Sequence, residues 1–288
     1  MPHNTPDQSY AQGYRNLIYR LSQQEGSMLR GAVREEVRIF NVDFFERHGP
    51  TEVTEKQGRF ADSPTTDQPH SRRRVQYKDW QHYPFLDKQE DQRLLIDPTS
   101  SYVRNGVSAF GRKMDDILIE AALGDAFAGQ QGGTAVPLPA GQTIVAGGAG
   151  LTITKLRQTR TKLGLADVDK TIRRYGAVTS NQVEDLLEDT NITSSDFNTI
   201  RALVAGEVDS YMGFTFKELS PKLIPLASDI RSCVFWAMDG LILSIGDSRN
   251  EIVVRTDKSG AWQNQMDMAL GSTRMEEAKI VEIECDES

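Results

Sequence analysis

The chain has 288 residues, with 33 Lys and Arg against 41 Asp and Glu, for a formal charge of -8. That length buries a substantial core, and 38% hydrophobic with 26% charged residues excludes wholesale disorder. The acid excess speaks against a dedicated nucleic-acid binder, and the two cysteines, Cys233 and Cys285, exclude a disulfide framework or a four-cysteine zinc site.

The first residues, Met1 to Gln8, are polar and carry two prolines, which reads as a tail. They have no basic region followed by an apolar core, so no secretory signal is expected, and no run approaches the ~20 apolar residues of a membrane span. Tyr14, Leu17, Ile18 and Leu21 recur at helical spacing and predict a short helix ending before Gly26. From Val33 the period changes to two, with Val37 and Ile39 on one face and Phe40, Val42 and Phe44 on the other, which predicts a strand. Residues 46–78 are polar, with Val53, Phe60 and Val75 almost the only apolar side chains. A polar stretch of that length does not suit the interior of a domain and reads as an arm or hairpin that leaves it.

The spacing then predicts a long helix over Thr99–Leu123. Thr99-Ser-Ser supplies the start, and Gly124 stands where a terminating glycine belongs. Val103, Val107, Phe110, Met114 and Ile117 step by fours and threes and form the expected buried stripe. Arg112, Asp116 and Glu120 read as an ion-pair ladder on the opposite face. Residues 124–150 are rich in glycine and predict a mobile loop or loose ribbon, with 129–150 the least rigid part of the body. Thr152 caps a further helix carrying Ile153, Leu156 and Leu163. Short helices are expected at 180–188 and 195–204. Strands are expected at 177–179, 214–217, 233–238, 241–244 and 252–256, and finally where Val281, Ile283 and Cys285 alternate with Glu282 and Glu284. The mixture without a strand–helix–strand rhythm predicts an α+β class.

Chemistry is sparse. The histidines, at 3, 48, 70 and 82, show no metal-ligand spacing along the chain. Gly129-Gln-Gln-Gly-Gly-Thr has the glycines of a phosphate loop but not its Gly-Lys-Ser/Thr ending. No catalytic residue, metal or cofactor is expected. Arg72, Arg73, Arg74 and Lys78, with Tyr77 and Trp80 beside them, read as an inter-subunit contact whose charges face acids of the next subunit.

The order of elements resembles the major capsid proteins of tailed bacteriophages, which share the fold named for phage HK-ninety-seven. The resemblance rests on the polar excursion from Glu46 to Lys78, and on the helix preceded by Leu94-Leu-Ile-Asp-Pro and containing Phe110-Gly-Arg-Lys-Met-Asp-Asp and Ile119-Glu-Ala-Ala-Leu-Gly. It rests also on Met212-Gly-Phe after Val204-Ala-Gly-Glu, and on Ala269-Leu-Gly-Ser-Thr-Arg-Met-Glu-Glu before the last strand. It implies an N-terminal arm at 1–33, an extended loop at 46–78, and a peripheral domain at 34–45 and 79–164 with its spine helix at 99–123. It further implies an axial domain at 165–255 and a return to the peripheral domain at 256–288.

The implied function is structural. Copies would form hexamers and pentamers of an icosahedral shell in the virion, assembled in the host cytoplasm around double-stranded DNA without sequence-specific binding. A portal protein is an implied partner. Without a coiled-coil segment before Val33, any scaffolding protein would be separate, and decoration proteins are open. An encapsulin-type compartment shell and an α+β small-molecule enzyme using the glycine-rich loop are the alternatives.

Overall fold

The computed structural model describes residues 23–37, 42–56, 58–59, 65–86, 99–188 and 210–288. The expected helices at 14–21 and 195–204 lie outside them. Three sheets organise the described residues. The first has the order β1 (Arg34–Val37), β14 (Leu241–Arg255), β15 (Ala261–Arg274), β4 (Lys78–His82), with β5 (Phe85–Leu86) also on β15. The long helix α1 spans Thr99–Leu123, as its periodicity predicts, and packs on this sheet.

The second sheet has the order β10 (Ser210–Tyr211), β11 (Phe214–Glu218), β9 (Arg174–Val178), β13 (Ile230–Ala237), β16 (Ile280–Asp286), β8 (Thr143–Ile144), with β12 (Leu226–Ala227) on β13. Helices α2 (Ile153–Leu165) and α3 (Ser180–Glu188) complete this part. Thr152 caps α2 by accepting from Lys155 N at 3.3 Å. The third sheet joins β2 (Val42–His48), β3 (His70–Gln76), β6 (Ala126–Ala128) and β7 (Thr134–Val136).

The unbroken apolar run Cys233–Ala237 follows from burial on both faces. Val234 and Trp236 point into the core shared with α1, whereas Cys233 and Phe235 point into the core under α2 and α3. Trp236 Nε1 donates to Ala32 O at 2.9 Å, which fixes the N-terminal segment against this wall.

The pairing moves several expected boundaries. The strands expected at 241–244 and 252–256 are one strand, irregular only between Ile245 and Ser248, and the boundary at 255 would cut the β14–β15 hairpin in two. β16 lies in the second sheet rather than beside the long helix, because its buried face of Val281, Ile283 and Cys285 belongs to the second core. Leu29, Ala32 and Val33 are buried in the first core, so the chain before β1 is part of the body at least from there. The glycine-rich stretch is not a loose ribbon throughout: β6 and β7 pair with each other and extend the β2–β3 hairpin.

The C-terminus is tied down by charge. Arg231 grips Glu287 with Nε and Nη2 at 2.9 and 2.7 Å, and its Nη1 donates to Pro221 O and Ile224 O. The Arg231 hydrogen bond holds the Glu287 carboxyl below its ordinary range. A depressed acid stabilises the fold fully above its ordinary unfolded value and loses that contribution as pH falls through the folded value. The stability gap between wild type and Glu287→Gln, from urea unfolding, is therefore expected to be constant near neutrality and to close in acid. A gap independent of pH would contradict this role.

Candidate assembly elements: the extended loop and its anchor

β2 and β3 form an antiparallel hairpin from Val42↔Gln76 to His48↔His70, closed by Gly49 N donating to Pro69 O at 2.8 Å. Beyond that bond, residues 50–56, 58–59 and 65–69 are exposed, and Val53 is 100% exposed. The polar segment thus leaves the body as a paired neck, and the described residues beyond it are exposed.

Alternation along β3 divides the arginine cluster. Phe45 and Val75 face the body and are buried, which places Arg73 on the same side. Arg73 is 2% exposed, donates through Nη2 to Glu277, and lies 3.4 Å from Met275 O. Arg47 donates to the same Met275 carbonyl and lies 3.9 Å from Glu277. Arg72 faces out and pairs with Glu46 across the hairpin at 3.0 Å. Arg74 donates to Gly132 O and Gln76 Oε1 and stands 5.2 Å from the centre of the Phe127 ring. Gly132 has φ +65°, and a Cβ there would meet the Arg74 side chain at 2.4 Å, so only glycine suits this turn.

The expectation that all three arginines face a neighbouring subunit is therefore corrected. Arg73 is spent inside the subunit because the strand period puts it beside Val75, and Arg74 is held by the β6–β7 turn. Among the rest of the cluster, Lys78 is exposed, Tyr77 Oη hydrogen-bonds Ser244 Oγ at 2.6 Å, and the half-buried Trp80 ring lies under Lys113 Nζ at 4.2 Å.

Glu277 joins this anchor to the end of α1. Arg274 is fully buried; Nη1 donates to Ala122 O and Gly124 O, and Nη2 donates to Val136 O at 2.7 Å. A guanidinium there satisfies terminal carbonyls of the helix and opposes the negative end of its dipole. Its Nε lies 3.8 Å from Glu277. Burial pushes both Arg73 and Arg274 below the ordinary arginine value, and Glu277 opposes the shift. One carboxylate thus faces three guanidiniums, from the hairpin and from the strand that caps the helix.

Along α1 the expected stripe is only partly buried. Phe110 and Met114 are buried, Val103 and Ile117 are half-buried, and Val107 is 53% exposed. Val107 stands two turns before Met114, about 10 Å along the axis. At that end the sheet reaches the neighbouring Gly106, where Met266 and His82 approach, but leaves Val107 open. The fully buried positions Leu118 and Ala122 lie outside the expected stripe, as does Asp115.

Asp115 organises the segment before β1. Its carboxylate accepts from Gln24 Nε2 and Ser27 Oγ, both at 2.5 Å, and from the backbone N–H of Met28 and Leu29 at 3.0 and 3.1 Å. One turn away, a Cβ on Gly111 would lie 2.3 Å from the backbone of Gly26. The expected Arg112–Asp116–Glu120 ladder is replaced: Asp116 pairs with Lys113, and Arg112 donates to Gln23 Oε1 and Gln24 O. Gly111→Ala is expected to lower the melting temperature and to speed proteolysis before Leu29, because backbone cannot yield as a flexible side chain can. Unchanged proteolysis would contradict the close packing.

Among the described residues, no helix is long and apolar enough to cross a membrane, and no three His, Cys, Asp or Glu side chains gather as a metal site.

A family model described as phage capsid protein matches residues 7–287. The chain belongs to the phage capsid protein family. Solved structures similar to this capsid protein share its fold at low identity. The capsid of Ralstonia phage GP4 matches with TM-score 0.73 at 9% identity, covering 96% of this chain and 95% of that one. The capsid of cyanophage P-SCSP1u matches with TM-score 0.71 at 13% identity, covering 98% and 94%. The capsid of Helicobacter pylori bacteriophage KHP30 matches with TM-score 0.70 at 8% identity, covering 99% of each chain. A search of curated proteins returns no match. The capsid protein is a structural component of the phage head.

Proposed function

We infer that copies of this capsid protein close into an icosahedral head as hexamers and pentamers, each subunit's extended loop lying across a neighbour. The observation that carries the reading is the hairpin of the third sheet. Its neck is fastened to the body at Glu277, while residues 50–56, 58–59 and 65–69 beyond the neck are exposed. Ordering a residue costs about 1–2 kcal/mol, so a polar tip of this length is ordered by a partner. Heterologous contacts of this kind close into rings when the rotation fits. The first sheet with α1 then serves as the peripheral domain, and the second sheet with α2 and α3 as the axial domain.

The same reading places the head around double-stranded DNA without sequence-specific binding, joined to a portal protein and assembled in the host cytoplasm. A scaffolding protein, where used, is a separate chain, as is any decoration protein. No catalytic step belongs to the reading. The glycine-rich segment of the enzyme alternative supplies β6 and β7, which support the loop.

Arg72 and Lys78 remain exposed and are the cluster's inter-subunit charges. Changing both to alanine should leave circular dichroism unaltered and lower particle yield, with the remaining yield less sensitive to salt. An exposed pair contributes about 0–1 kcal/mol, so the effect is read through repetition over the shell. Normal yield and salt response in the double variant would remove these residues from the interface.

A further inference from the structure

We propose that His48 and His70 form a divalent transition-metal site at the neck of the extended loop, suited to an ion of the copper(II) or nickel(II) class. The two residues are directly opposite in the β2–β3 register. Gly49 N bonds Pro69 O on the tip side of them, so His48 and His70 occupy a non-hydrogen-bonded pair, where side chains across a hairpin come closest. Both are exposed on the outer face, away from Phe45, Arg73 and Val75. Their ring centres stand 4.5 Å apart at 84°, in an edge-to-face contact.

That separation lets the two exposed imidazoles, once one ring turns from the edge-to-face contact, take adjacent positions of one ion. With metal–nitrogen bonds of about 2.1 Å, each ring centre lies about 3.2 Å from the ion, and an angle of about 90° puts the centres about 4.5 Å apart. A tetrahedral angle asks for about 5.2 Å by the same geometry. The right angle is that of tetragonal or octahedral coordination by nitrogen and oxygen ligands, which copper(II) and nickel(II) prefer. Water takes the remaining positions from an open groove beside His70, lined also by Glu46, Ser71, Arg72, Gly129 and Gln130. Glu46 lies two residues from His48 on the same face and presents the one carboxylate of that groove, shared with Arg72 at 3.0 Å.

The two histidines are 22 positions apart in the chain, so no spacing rule for helices or knuckles detects them. An ion there joins the two strands where pairing gives way to the tip, and fixes the loop's neck in the paired state.

The test uses the full chain carrying His3→Ala, so that the terminal amine and first histidine do not compete. Titration with nickel(II) and copper(II), followed by calorimetry and by visible absorption, should show one ion per chain, a raised melting temperature, and no response to magnesium. Adding His48→Ala or His70→Ala should weaken binding at least about tenfold, whereas His82→Ala should not. Binding that survives either neck substitution, that His82→Ala abolishes, or that fails to appear in the parent would overturn the site.

Discussion

Replacing Glu277 with alanine is expected to produce the largest loss of stability of any single change at the loop anchor. Arg73 and Arg274 are 2% and 0% exposed, and Glu277 is the carboxylate nearest both in ion-pair contact. Removing one partner of a buried pair costs about 3–5 kcal/mol, because the remaining charge stays buried without compensation. At about 2–4 °C per kcal/mol for chains of this size, the unassembled subunit should melt about 6–20 °C lower. Glu277→Gln should fall between, since it accepts a hydrogen bond but carries no charge. The damage should be local first: faster hydrogen exchange in β3 and at the end of α1. A melting temperature within a degree of wild type would show that the guanidiniums are compensated elsewhere.

The second large effect is expected at Asp115. Alanine there leaves the backbone N–H groups of Met28 and Leu29 and the Ser27 hydroxyl without that acceptor, and Gln24 Nε2 with only Gly26 O. Each buried donor left unpaired costs about 1–3 kcal/mol. Asp115→Ala should therefore release the segment before β1, exposing the Trp236 indole that now donates to Ala32 O. The readouts are red-shifted tryptophan emission and cleavage near residues 24–30 with the rest of the chain intact. Asp115→Asn should rescue in part, because its carbonyl oxygen still accepts. An intact segment in the alanine variant would mean that apolar packing of Leu29, Ala32 and Val33 holds it alone.

These anchors explain which parts of the molecule are legible in the sequence. The long helix, the polar hairpin and the last strand show themselves because each follows one period over many residues. Anchors that depend on pairing do not. Three consecutive arginines read as one basic patch, yet Val75 two places on carries the signal that Arg73 turns inward, since period two puts both on one face. Asp115 lies next to Asp116 and looks like part of a solvated ladder, because a buried acid interrupts no apolar stripe. β14 reads as two strands, 241–244 and 252–256, because Gly246 and Asp247 break the apolar alternation where the strand is merely irregular. His48 and His70 become neighbours only once the register is known.

A shell-forming subunit whose extended loop is fastened at Glu277 and ordered by a neighbour should lose assembly, and keep its fold, when that loop is removed. The most direct measurement is sedimentation and electron microscopy of the purified full-length protein, beside a variant in which residues 50–68 are replaced by a two-residue turn. Closed icosahedral particles are expected from the full chain, and from the loop-deleted chain a folded subunit with the same circular dichroism that forms none. Closed particles of normal size from the loop-deleted chain, or a full-length protein that stays monomeric under every assembly condition, would contradict it.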